Sequence, residues 1–181
     1  MLKKIQYLDN LIVKKIARMH NPVLNKIMIV FTVLGNGAFI WWITLCLPFV
    51  LQKSTRTTGI YLTIALGVTY VTGEWIIKPL ISRIRPSTKL HDDELIIKRP
   101  KDYSFPSGHT ASSFTAFVVT LLMCPAYIFI PVLVGTLIIS FSRMYLRVHY
   151  FSDVICGAIL GSFNAAVCVY ICSHLLPNIG A

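Results

Sequence analysis

Residues 103–142 read YSFPSGHTASSFTAFVVTLLMCPAYIFIPVLVGTLIISFS, forty consecutive positions without Asp, Glu, Lys or Arg. A helix needs about 20 apolar residues to cross a bilayer. This stretch therefore holds two crossings, with Cys124-Pro125-Ala126 as the break between them. Working outward, the segments 27–52, 57–73 and 154–181 are equally free of charge. About five spans follow: 24–51, 58–80, 108–124, 127–146 and 152–176. Gly35-Asn36-Gly37 predicts a kink in the first of them. The expected fold is all-α, a polytopic membrane helical bundle. No linker, repeat or low-complexity segment divides the chain, so residues 1–181 are read as one domain, with the transmembrane bundle over 24–176.

Composition agrees. The 181 residues are 55% hydrophobic and 13% charged, with a mean hydropathy of +0.69. A soluble domain carries roughly 25% charged residues. Lys and Arg number 17 against 7 Asp and Glu, a formal charge of +10. Such a balance suggests nucleic acid, but that reading needs a charged, soluble surface. Here the charges fall in four short patches between the apolar stretches, so no nucleic-acid partner is expected, and no protein partner is implied. In residues 1–20, Leu2, Ile5, Leu8, Ile12, Ile16 and Met19 recur at helical spacing, while Lys3, Lys4, Lys14, Lys15 and Arg18 occupy the other face. That is the pattern of a helix lying in the membrane interface. It is too charged for a secretory signal, and no small-residue cleavage site follows. The five cysteines lie in or beside apolar spans and read as small buried hydrophobes.

Alternating spans bring the end of the second, the start of the third, the end of the fourth and the start of the fifth to one membrane face. The polar residues gather there. Lys78 and Arg85-Pro86 follow the second span; Pro106-Ser107-Gly108-His109 opens the third. Ser142-Arg143 closes the fourth, and His149 and Asp153 open the fifth. Three cations, Lys78, Arg85 and Arg143, suit a multiply charged anion such as phosphate. Ser107-Gly108-His109 sits at a helix start, where free N–H groups favour an anion. The two histidines exchange protons near neutral pH. With 149–153 helical, Asp153 lies one turn beyond His149 and can accept its ring N–H, leaving the other nitrogen free to attack. An anion clamp, a nucleophile, an orienting acid and a second proton carrier describe phosphoryl transfer without a metal, so no cofactor and no metal site are expected.

Lys78-x6-Arg85-Pro86, Pro106-Ser107-Gly108-His109 and Ser142-Arg143-x5-His149-x3-Asp153 together resemble the three-part signature of the type-2 phosphatidic acid phosphatase superfamily. The match covers residues 78–153 directly, and the hydrophobic layout resembles compact bacterial membrane members throughout. The resemblance implies catalytic residues: His149 as nucleophile, forming a phosphohistidine, Asp153 orienting it, and His109 as general acid and base. Lys78, Arg85, Ser107, Gly108 and Arg143 would bind the phosphate. It implies a lipid phosphate substrate, namely phosphatidylglycerophosphate, phosphatidic acid or undecaprenyl diphosphate, with a slight lean toward the glycerolipids. It also implies a bacterial cytoplasmic membrane with the site on the outer face, although counting positive residues favours the cytoplasmic face. Related soluble haloperoxidases are larger and more polar and are set aside.

Rival readings are a lipid-to-lipid phosphotransferase and an anion channel or lipid transporter using the same cations. Arg83, Lys89, Lys98, Arg99, Lys101 and Arg147 read as headgroup anchors outside the catalytic set. Asp92-Asp93-Glu94 is read as a solvated loop that could gate the site, rather than a magnesium site. Glu74 either pairs with Lys78 one turn away or faces the bundle interior.

Overall fold

The computed structural model describes residues 2–176 and 179; the outermost residues of the 1–181 domain lie outside them. Helix α1 (Leu2–Ala17) precedes a bent pair, α2 (Pro22–Leu34) and α3 (Asn36–Leu51). Then come α4 (residues 56–81), α5 (Gly108–Met123), α6 (Ala126–Tyr145) and α7 (Phe151–Leu175). No strand occurs among the described residues.

Local sequence sets the breaks. Asn21 caps α2, its side chain accepting from the Leu24 N–H, and Pro22 fits the first turn. Gly37 and Ala38 are left-handed, with φ of 56° and 60°, and α2 and α3 meet at a 57° bend. The kink expected in the first span is there. Pro48 and Pro79 lack the N–H that the helical ladder needs, and wider π-helical turns precede them at Trp42–Cys46 and Val71–Ile77. The second of these carries Glu74 and leads directly into Lys78.

Three helical segments are long and apolar enough to cross a bilayer alone, and the bent pair brings the number to 4. The fifth expected span, α5, is shorter at 16 residues. Its start is fixed by Pro106-Ser107 and its end by Cys124-Pro125, which leaves about 24 Å of helix.

Helix α5 is the centre of the bundle and packs on α7, α6 and α4. Gly157 and Gly161 let α7 approach it closely. A Cβ at 157 would lie 2.6 Å from the Ser107 carbonyl oxygen, and one at 161 would overlap the Ala111 carbonyl. Buried hydroxyls tie the helices together: Thr69 and Thr115 meet at 2.9 Å, and the Trp41 Nε1–H donates to Ser113 Oγ at 3.0 Å. Leu62, Ala65, Ala116, Val119, Ile139 and Ala165 form the dry centre. Leu51, Val134, Ile159 and Phe163 face outward, as befits a bundle solvated by lipid.

The stripe expected on α1 divides. Ile16 and the neighbouring Val13 pack inward together with a fully buried carboxylate, Asp9, while Ile5, Leu8 and Met19 stay exposed. The reason is electrostatic: Asp9 accepts from Arg83 Nη2 (2.6 Å) and from the Ser152 N–H (2.9 Å), which rotates α1 toward the bundle. Leu2 and Lys3 have no described side chain.

Candidate active site

A cavity of about 620 Å³ opens at one end of the bundle, lined by Lys78, Arg85, Gly108, His109, Arg143 and His149. Four chain segments deliver them. Lys78 ends the widened turn of α4 and Arg85 sits in the following loop. Gly108 and His109 open α5, Arg143 lies in the last turn of α6, and His149 precedes α7. The chain reverses after α6 at Arg147, whose φ is 54°, and the His149 N–H returns to the Arg143 carbonyl at 3.2 Å. That reversal turns His149 back beside Arg143.

His149 is buried and its tautomer follows from its partners. Nδ1 lies 2.6 Å from the Ser104 carbonyl oxygen, which can only accept, so Nδ1 carries the proton. Nε2 lies 2.9 Å from Arg85 Nη1, which can only donate, so Nε2 presents its lone pair. Burial, and then the Arg85 and Arg143 charges, hold this imidazole well below the ordinary histidine range. It is a neutral base facing a cationic cavity.

The expected direct bond from His149 to Asp153 is replaced. Asp153 Oδ2 is 3.7 Å from Nδ1, beyond hydrogen-bond range. Its oxygens instead accept from the Tyr150 N–H at 2.8 Å and from Arg83 Nη1. A carboxylate at the third residue of a helix naturally turns back on the cap N–H, and here that leaves the imidazole to the Ser104 carbonyl. Ser107 also takes another place: it is wholly buried, absent from the cavity wall, and its hydroxyl accepts from Thr110 Oγ1 at 3.0 Å as the α5 cap.

His109 Nε2 faces two acceptors, Asn36 Oδ1 at 2.9 Å and the Thr32 carbonyl at 3.1 Å, so it carries a proton. Thr32 Oγ1 also accepts from Arg143 Nη1. The α2–α3 break thus holds a proton-bearing histidine and a clamp arginine through one short segment. Arg143 Nε is buried without a partner.

Two carboxylates already occupy two of the three cations. Lys78 Nζ donates to Glu74 (2.6 and 2.7 Å) and to Asp102 (2.6 Å); Arg85 Nη2 donates to both Asp102 oxygens at 2.9 and 3.0 Å. Glu74 therefore pairs with Lys78, and its Oε1 occupies the space that any side chain at 108 would need. Burial alone would push the Asp102 carboxyl up; the Lys78 hydrogen bond and the Arg85 charge outweigh it and hold it low.

Arg83, read from sequence as a headgroup anchor, instead spans Asp9, Asp153, Ser152 and Gln6, with its guanidinium 4.2 Å from the Tyr150 ring centre. Asp92 and Glu94 form ion pairs with Arg99 (3.0 Å) and Arg147 (3.3 Å). Sequence reasoning missed Asp102, Asp9, Ser104, Thr32 and Asn36. The signal for Asp9 was present: it is a lone acid among the lysines of an amphipathic helix.

Cations left short of counter-charge around a neutral imidazole, at the end of a lipid-facing bundle, define a membrane enzyme that handles phosphate esters. The chain belongs to the PAP2 superfamily, whose profile matches residues 57–175. It is 33% identical over 148 residues to the undecaprenyl-diphosphatase of Sulfolobus acidocaldarius, covering 82% of this chain and 70% of that protein. A transmembrane PAP2-type phosphatidylglycerolphosphate phosphatase from Bacillus subtilis shares the fold, with a TM-score of 0.76, 22% identity, and 95% and 88% of the two chains covered. LpxE of Aquifex aeolicus superimposes with a TM-score of 0.71 at 25% identity, over 87% of this chain and 92% of that one. The protein is an integral-membrane lipid phosphatase, a hydrolase of phosphate esters.

Proposed function

We propose that the protein removes the terminal phosphate of a membrane lipid through a phosphohistidine on His149, with no metal ion. The observation that carries this is the fixed tautomer: the Nδ1 proton is held by Ser104, and the Nε2 lone pair points at Arg85 beside the cavity. Nε2 attacks phosphorus as the bond to the lipid oxygen breaks. His109, as the imidazolium that a bound phosphate anion favours, gives its Nε2 proton to the departing oxygen and is left neutral. A water then attacks the phosphohistidine, its proton returns to His109, and the P–N bond breaks to release phosphate. Lys78, Arg85, Arg143 and the Gly108 N–H hold the equatorial oxygens as charge develops. Asp153 acts on His149 through Tyr150 and Arg83, by fixing the turn that carries it.

For the substrate we propose a polyprenyl diphosphate. The resemblance by motif leans to glycerolipids, but the Sulfolobus undecaprenyl-diphosphatase is 33% identical over 148 residues, whereas the phosphatidylglycerophosphatase B of B. subtilis is 24% identical over 168 residues. A cavity of about 620 Å³ has room for a diphosphate headgroup.

The test is phosphate release by purified protein in detergent with EDTA, from farnesyl diphosphate, phosphatidylglycerophosphate and phosphatidic acid, with alkaline detergent quenching to trap an acid-labile, base-stable phosphoryl group. Farnesyl diphosphate is expected to turn over fastest and to label wild-type protein but not His149→Ala. Labelling or wild-type turnover in His149→Ala overturns the mechanism; strict magnesium dependence overturns the metal-free chemistry. Faster turnover of either glycerolipid overturns the substrate. Phosphate appearing on a second lipid rather than in water marks a transferase.

A further inference from the structure

A second cavity, about 580 Å³, lies between α1 and the loop around residues 86–94, and it shares no lining residue with the first. None of the residues that the hydrolytic mechanism sets against phosphate lines it. Its wall carries four cations: Lys14 from α1, Arg18 from the turn after it, Lys89 from the loop, and Arg147 from the α6–α7 turn. A single carboxylate, Glu94, faces them. Asp92 is spent on Arg99, and Asp9 on Arg83 and Ser152.

Arg147 makes this more than a basic patch. Its backbone is left-handed, a conformation disfavoured for any side chain with a Cβ. Its side chain is only 19% exposed, and Nη1 reaches Glu94 at a long 3.3 Å. Its Nε is buried without a partner. An arginine held mostly out of water, with donors unspent, beside three further cations, is short of an anion. The rest of the wall is apolar or aromatic, with Val13, Ala17, Leu90 and Tyr150, and Leu8 and Leu11 stand exposed along α1. Charge at the centre and greasy surface beside it suit a headgroup whose acyl chains lie along α1.

We infer that this cavity binds the phosphate of a lipid that is not the substrate, seating α1 against the loop that carries Arg85 and Asp102. The recognised chemistry is a phosphate oxyanion with no cation of its own, carried by an anionic phospholipid or free in solution.

The test is native mass spectrometry of the purified protein with dioleoylphosphatidylglycerol, with dioleoylphosphatidylcholine as the zwitterionic comparison. Removal of a basic residue should weaken retention of the anionic lipid about fivefold per cation, the ~1 kcal/mol expected of each Lys or Arg at a lipid headgroup. Arg147→Gln and the double variant Lys14→Gln, Arg18→Gln should both show it. The double variant alters two exposed positions, one on α1 and one just after it, so it tests the site even where Arg147→Gln disturbs the turn. Arg85→Gln, in the hydrolytic cavity, should leave retention unchanged. Equal retention of the two lipids, wild-type retention in both variants, or loss in Arg85→Gln alone overturns the inference. Displacement of the lipid by inorganic phosphate identifies a site for free phosphate; persistence identifies a headgroup site.

Discussion

Two ionic regions meet at His149, and they are built on opposite balances. In the cavity, Lys78, Arg85 and Arg143 face Glu74 and Asp102, and among the described residues Arg143 has no carboxylate and an unpartnered Nε. Beneath the first turn of α7, a single Arg83 faces two buried carboxylates, Asp9 and Asp153, and both its terminal nitrogens donate twice. Buried charge is tolerated only when paired. The saturated region is therefore structural, holding α1, the 82–107 loop and α7 together. The unsaturated one waits for an anion. Much the same residue types perform both tasks; what separates them is whether positive charge is left over.

The comparison breaks most sharply at the imidazole. His149→Ala is expected to lower phosphate release by at least about 10³-fold, as removal of a nucleophile does, whereas Lys53→Ala at a distant span end should be silent. Because burial and the neighbouring arginines hold His149 low, its neutral form persists below the ordinary histidine pKa of about 6.5. The acid limb of kcat/KM should therefore fall below pH ~6.5, with activity lost as pH drops through the lowered pKa. A limb above that pH would mean that a different group is the base.

Next in size is Arg83→Gln, which strands two buried carboxylates. Removing one partner of a buried ion pair costs about 3–5 kcal/mol, to be read from thermal unfolding in detergent. Asp9→Asn in the same chain should restore part of the loss, since the two changes share one network. If Arg83→Gln melts with the wild type, the region is no structural network, and the contrast with the cavity fails.

Asp102→Asn should have a smaller effect of the opposite sign. Its half-exposed carboxylate sits on Lys78 and Arg85, where a phosphate would have to displace it. Neutralising it should tighten competitive inhibition by inorganic phosphate about tenfold, the worth of one charge-assisted hydrogen bond. With its pKa held low, Asp102 stays charged at neutral pH. The gap between variant and wild type should persist down to pH ~4 and close only below the ordinary aspartate value of about 3.9. Unchanged or weaker inhibition would show that Asp102 does not compete with phosphate.

The order of these effects tracks what was legible in the sequence. Charge-free runs give the helices directly, because the lipid-facing length of a span excludes charge. Lys78, Arg85, Gly108, His109, Arg143 and His149 are legible because their spacing matches span ends, and all six line the cavity. Partnerships were harder to read. Arg83 and Arg85 are two residues apart, yet one turns to α1 and α7 and the other to the cavity. Nothing in their spacing separates them; tertiary contacts with Asp9 and Asp102 do. The Ser104 carbonyl that fixes the His149 tautomer is a backbone atom, which no side-chain pattern announces. The bend at Gly37 was legible, but the use of Thr32 and Asn36 beside it was not, because both are ordinary polar residues until the chain folds back.

Ser107 offers the finest test. Its place in the Pro-Ser-Gly-His motif points to phosphate, and its geometry points to a helix cap: the hydroxyl is fully buried and engaged by Thr110 Oγ1 at 3.0 Å, and its own N–H donates to the Asp153 carbonyl at 3.1 Å. A cap serine replaced by alanine costs about 1 kcal/mol, which should appear in the melting temperature of Ser107→Ala. Inhibition by inorganic phosphate should then move less than about threefold, since no direct bond to the anion is lost. A tenfold loss of phosphate affinity at unchanged stability would return Ser107 to the clamp. It would also mean that the boundary between the saturated and the unsaturated region lies one turn deeper in α5.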